Sequence, residues 1–168
     1  MDNNKDIHDY YDPEIETKKN LLWNNMVHDG FIDLDVDQMT KEFALRLGLH
    51  DFDYVEKHHD SFTDHKIKHD MFLLSVRYST INIINFLINK FKIDITYKNR
   101  YGNNCVLIAC GYVTDLETIK FLIDQMTDNM KFPQRLEERN NNGDTILTHA
   151  CWTNPNLEII KYLIDEIQ

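Results

Sequence analysis

The run His58-His59-Asp60-Ser61-Phe62-Thr63-Asp64-His65-Lys66-Ile67-Lys68-His69 holds the densest set of chemically capable side chains in the chain. Its histidines raise metal binding first. His65 and His69 stand at i, i+4, so one helix face would present both to a cation. The remainder of a ligand set is missing. No Cys lies nearby, no Glu follows His65 directly, and Lys66 and Lys68 would repel the ion. A solvated polar connector is the simpler account, and neither metal nor cofactor is expected. Nucleophilic chemistry finds no pattern either. There is no Gly-x-Ser-x-Gly, no Cys-x-x-Cys, and with five glycines in all no Gly-rich phosphate loop. Cys110 and Cys151 would be packing residues, since free Cys is among the most buried types. No catalytic residue is expected.

Composition narrows the partner. The 168 residues fit one domain, and 42% hydrophobic with 11% aromatic residues can build a core. The formal net charge of -10 argues against nucleic acid, whose phosphates need Lys and Arg, and against an anionic membrane surface. A protein partner is easier to accept. Three cysteines, an acidic polar start (MDNNKDIHDYYDPEIE) and no long apolar segment point to a reduced, intracellular protein. The 17 Asn and 18 Ile are high, as AT-rich coding sequence would make them.

The elements that would carry any site are legible in an internal repeat. Residues 98–126 (KNRYGNNCVLIACGYVTDLETIKFLIDQM) align with 139–167 (RNNNGDTILTHACWTNPNLEIIKYLIDEI) at a shift of 41, with 11 of 29 positions identical. A unit of this length buries its apolar face only by stacking on a neighbour. Asn140-Asn141-Asn142-Gly143 is a turn signal, and Thr145, like Asn104 before it, is placed to cap a short helix. That helix spans 146–152, and Asn154-Pro155-Asn156 breaks it. A second helix follows, with Leu157, Ile160, Leu163, Ile164 and Ile167 as one inward stripe. Ile159 and Tyr162 would then face outward. A weaker copy stands 34 to 35 residues upstream, with Asp70 as cap of a first helix and 81–91 as a second bearing Ile84, Leu87, Ile88 and Phe91. The later insertion, MTDNMKFPQRLEE, carries a bend at Pro133.

Upstream, residues 14–28 read as a helix stopped by Gly30. Phe43 to Gly48, followed by Phe52, Tyr54 and Val55, reads as a degenerate helix pair. The first dozen residues are expected to be mobile. The division is then 1–67, an acidic region with a degenerate helical cap, and 68–168, repeats at about 69–95, 98–138 and 139–168.

These units resemble the ankyrin repeat. Gly143-Asp144-Thr145-Ile146-Leu147-Thr148-His149-Ala150-Cys151 followed by Leu157-Glu158-Ile159-Ile160-Lys161-Tyr162-Leu163-Ile164 follows that pattern. So does Gly102-Asn103-Asn104-Cys105-Val106-Leu107-Ile108-Ala109-Cys110 followed by Leu116-Glu117-Thr118-Ile119-Lys120-Phe121-Leu122-Ile123. The Pro and His of the family's first-helix motif are absent from both, and the break between helices is one residue longer. The phrasing is also similar to the Asn- and Ile-rich ankyrin proteins of giant amoeba viruses such as the mimiviruses, which implies the cytoplasm of a host cell.

The resemblance implies an all-α helix-pair solenoid that binds a protein through its concave face without catalysis. Turns and first helices would line that face, exposing Arg100, Tyr101, Asn103, Asn141, Asn142 and Asp144, then Ile108, Tyr112, His149, Trp152 and Thr153. The protein-binding set is Arg100, Tyr101, Asn103, Tyr112, Asn142, Asp144, His149 and Trp152. Trp152 aligns with Gly111, so it is either an exposed hot spot or packs under the next turn or against its own Asn-Pro break. Other readings are a structural or assembly component self-associating through an uncapped C-terminal end, a metal-dependent activity at His58, His59, His65 and His69, and an adaptor working through residues 1–60.

Overall fold

A computed structural model describes residues 13–33, 35–127 and 137–167. The first dozen residues and most of the insertion with Pro133 lie outside the described residues, as do Gln168 and the side chains of Glu166 and Ile167. Nine α-helices follow one another among the described residues: α1 (Pro13–His28), α2 (Gln38–Gly48), α3 (Phe52–His58), α4 (His65–Tyr78), α5 (Ile81–Phe91), α6 (Cys105–Tyr112), α7 (Leu116–Thr127), α8 (Ile146–Thr153) and α9 (Leu157–Ile167). The all-α helix-pair solenoid is as expected. None of the helices is long and apolar enough to cross a membrane.

Three hairpins, α4–α5, α6–α7 and α8–α9, stack so that first helix lies against first helix, α4 on α6 and α6 on α8. The caps are those the sequence announces. Asn104 Oδ1 accepts from the Leu107 amide. Thr145 and Thr148 form a reciprocal capping box. The first repeat differs. Its first helix starts a turn early, at His65, with Asp64 as the cap accepting from the Ile67 amide. Asp70 sits inside the helix instead of capping it, and its carboxylate takes bonds from Lys66 Nζ at 2.6 Å and Tyr97 Oη at 3.1 Å.

Two apolar clusters result. One runs through the repeats, with Phe72, Val76, Val106, Ile108, Ile119, Leu122, Ile159 and Leu163. The other joins Met26, Phe43, Leu47, Val55 and Phe62 to Met71, Leu74, Ile83, Leu87 and Phe91 of the first repeat. Helix α4 faces both, and Phe31 and Ile93 touch both. The polar connector around the histidines is therefore not wholly solvated. His69 is buried, and its ring receives the Asp94 amide on Nε2 at 3.0 Å. That makes Nε2 the acceptor and leaves Nδ1 to donate to the His65 carbonyl at 2.7 Å. Both nitrogens are spent on the fold, so the His65–His69 pair is not poised for a metal.

The last helix turns differently from expectation. Leu163 and Ile159 are fully buried and Tyr162 is half-buried against the core. Leu157 and Ile164, expected inward, are 67% and 42% exposed. The physical reason is that apolar positions on a stacked helix serve two faces. One packs on the helix's own repeat and the one before it. The other waits for the repeat after it, which at α9 is not there among the described residues.

Candidate functional site

The turns between repeats form a stiff edge, and two asparagines organise it. Asn99 Oδ1 accepts the amides of Tyr101 and Asn103, and Asn140 Oδ1 accepts those of Asn142 and Asp144. Each turn closes through a glycine at positive φ, Gly102 at 77° and Gly143 at 85°. Adjacent turns are then fastened to each other. The Asn141 amide donates to the Tyr101 carbonyl at 3.0 Å, Asn141 Nδ2 to the Arg100 carbonyl at 2.9 Å, and Asn140 Nδ2 to Asn103 Oδ1 at 3.0 Å. Behind the edge, Asn154 Nδ2 reaches the carbonyls of Cys110 and Val113 at 2.9 and 2.8 Å, tying α8 to the end of α6.

Of the expected contact residues, Arg100, Tyr101 and Asn142 are exposed on this edge, and Asn103 and Asp144 are half-buried in it. Ile108 and His149 are not exposed. Both are buried, because their positions face the neighbouring first helices. His149 stands instead under Tyr112, ring edge to ring face at 5.5 Å. Burial holds its imidazole below the ordinary value while Asp144 opposes that shift, and its Nε2 has no hydrogen-bond partner. Tyr112 is half-buried and carries the Arg77 guanidinium 3.7 Å over its ring. Trp152 is 83% exposed, so it packs neither under a next turn nor against its own break. Cys110 is buried, and burial drives its thiol far up from the ordinary value, whereas Cys151 is exposed against expectation.

The sequence reading missed the segment that shares this face. Residues 29–33 (DGFID) leave α1 and cross the outside of α4. Asp29 Oδ2 accepts from Arg77 Nη2 and the Tyr78 hydroxyl, both at 2.7 Å. The Phe31 ring meets the Tyr78 ring edge-on at 5.9 Å. Tyr101 lies over Gly30, leaving no room for a Cβ, and Arg100 pairs with Asp33 at 2.7 Å. Burial pushes the Asp29 carboxyl up, but the Tyr78 hydroxyl and Arg77 outweigh it and hold it below the usual carboxylate range. The Tyr78 hydroxyl is pushed up to about 12 by burial and by Asp29. Beneath the segment is a cleft of about 260 Å³ bounded by Ile32, Val36, Lys66, Asp70, Tyr97 and Arg100. The one sequence signal was an apolar pair, Phe31-Ile32, set between aspartates after a stop glycine.

Stacked helix pairs with hydrogen-bonded turns at one edge define a solenoid scaffold whose working parts are surfaces. Three ankyrin repeats match residues 59–168, and the chain belongs to the ankyrin-repeat family. Among curated proteins, none matches the chain. Ankyrin repeats generally mediate protein–protein interaction, and the family is typically non-catalytic.

Proposed function

We propose that this protein is a non-catalytic interaction module that binds a protein partner along the turn edge and first-helix face of its second and third repeats. The observation that carries the reading is the cross-repeat bonding of the turns. Three hydrogen bonds between 100–103 and 140–141 hold Arg100, Tyr101 and Asn142 in fixed relation before any partner arrives. Preorganisation of this kind lowers the ordering cost of association. The contact residues are Arg100, Tyr101, Asn103, Asn142 and Asp144 on the edge and Tyr112 behind it, with His149 supporting Tyr112 from below. The first-repeat part of the face is already taken by residues 29–33, so a partner gains its area further along. The likeness to giant-virus ankyrin proteins rests on the 17 Asn and 18 Ile and on short phrases alone.

The test is affinity capture from cell lysate with the wild type, Tyr101→Ala/Asn142→Ala and Trp152→Ala, after circular dichroism has shown equal helicity. Proteins retained by the wild type and by Trp152→Ala but lost from the edge variant support the reading. An unchanged set on the edge variant removes it.

A further inference from the structure

The exposure of Trp152 is explained by its place in the stack. Counting by repeats, Arg77, Gly111 and Trp152 occupy one slot, the side of the first helix that meets the next first helix. Arg77 fills it by lying over Tyr112. Gly111 fills it with nothing, and must: a Cβ there would stand 2.4 Å from the His149 ring and 2.9 Å from Thr153 Oγ1. Trp152 puts the largest side chain where the preceding repeat tolerates none. A further repeat stacked as the third stacks on the second would drive its first helix into the indole. The same end of the molecule carries Cys151, Leu157 and Ile164, all exposed, whose equivalents Cys110, Leu116 and Ile123 are buried or half-buried against the third repeat. Even the turn follows suit: a Cβ on Gly102 would strike Asn141, whereas one on Gly143 would meet nothing.

We infer that this end face, Trp152 with Leu157 and Ile164, docks a basic amphipathic helix of a partner protein. The shape calls for a helix, because the face is the side of a helix pair built to be covered by another helix. The indole calls for one held farther out than α8 lies from α6, where Gly111 leaves no side chain between the helices. The charge sets its sign. Glu158 and Asp165 each follow an exposed apolar residue by one position and stand seven apart, so an acidic stripe runs beside the apolar one. Lys161 is the one cation among the exposed described residues of α9, and the chain as a whole carries -10. A second copy is a poor occupant by the same count, because it brings acid stripe towards acid stripe and two such charges together. A Lys- or Arg-bearing helix meets complementary charge, and its cations can lie on the exposed indole. This surface is distinct from the turn edge, so the two fail independently.

The test uses the full chain in a Trp23→Phe background, leaving Trp152 as the fluorescent reporter. Two designed helices of about five turns are titrated, one patterned with Leu and Lys and one with Leu and Glu. The expected result is a saturable blue shift of Trp152 emission with the Lys helix, weakened by salt and by Leu157→Ser/Ile164→Ser. Glu158→Lys/Asp165→Lys should move the preference towards the Glu helix by about tenfold, as two partly exposed charge pairs allow. Equal response to both helices, or binding that leaves Trp152 emission unchanged, overturns the inference. So does a blue shift that grows with protein concentration and no peptide, which would make the occupant a second copy.

Discussion

At the scale of single residues, asparagine carries more of this fold than its abundance suggested. Read as a trace of AT-rich coding, it proves structural at the repeats: Asn99 and Asn140 organise the turns, Asn104 caps α6, and Asn154 brackets two first helices. The identity of Asn99 and Asn140 between repeats was visible in sequence; the cross-repeat bonds were not, because they join residues 37 to 44 apart. His149 shows the opposite case, a polar residue at a slot held by Leu74 and Ile108 in the other repeats. Its Nε2 is buried without a partner and its pKa is lowered, chiefly by burial, from 6.5. A base whose folded value is depressed binds its proton more weakly folded than unfolded. Its contribution is therefore complete above about pH 6.5 and is lost as pH falls from there through the lower folded value. His149→Leu should gain about 1 kcal/mol at neutral pH by removing the unpaired nitrogen. It should also flatten the fall of melting temperature between about pH 7 and 5. Thermal melts across that range check both, and a variant as acid-sensitive as the wild type would show that the loss arises elsewhere.

At the scale of elements, the helices were legible and their surroundings were not. The apolar periods of α5, α7 and α9 and the caps at Asn104 and Thr145 can be read directly. The phase of α9 cannot, because Leu157, Ile160 and Ile164 look alike in sequence whether a later repeat covers them or water does. The segment 29–33 escaped for a different reason: five residues without periodicity acquire meaning only from Arg77, Tyr78, Arg100 and Tyr101, far along the chain. Its anchor is Asp29, three-quarters buried and accepting three hydrogen bonds from Arg77 and Tyr78. Asp29→Ala removes all three and leaves the guanidinium over Tyr112 without its counter-charge. Hydrogen bonds to a charged group at this burial support a loss of about 1.5–3 kcal/mol. In denaturant unfolding Asp29→Ala should lower the midpoint accordingly, while hydrogen exchange should rise in residues 29–33 before it rises in α6. Unchanged exchange in that segment would mean Phe31 and Ile32 alone hold it.

At the scale of the whole molecule, the question is whether the helices before the repeats form a separate unit. The family match opens at residue 59, yet the faces of α4 and α5 that carry Met71, Leu74, Ile83 and Leu87 are covered by Phe43, Leu47 and Val55 from α2 and α3. Helix α4 belongs to both clusters, and Phe31 and Ile93 lie against both. In a one-dimensional stack each unit is stabilised by its neighbours, so an interface shared this widely should transmit unfolding across it. Leu47→Ala tests one cluster and Leu122→Ala the other; both residues are fully buried, and each truncation should cost about 2–5 kcal/mol. If the chain is one cooperative unit, each variant keeps a single transition, displaced downwards by about 5–15 °C. In a Trp152→Phe background, fluorescence of Trp23, buried in α1, and far-ultraviolet circular dichroism, dominated by the repeats, should then report the same midpoint. Should Leu47→Ala shift the Trp23 signal alone and leave a second transition in place, the three helices before the repeats are only docked. The first repeat would then have to be stable with its apolar side open to water, which the burial of Met71, Leu74 and Leu87 argues against.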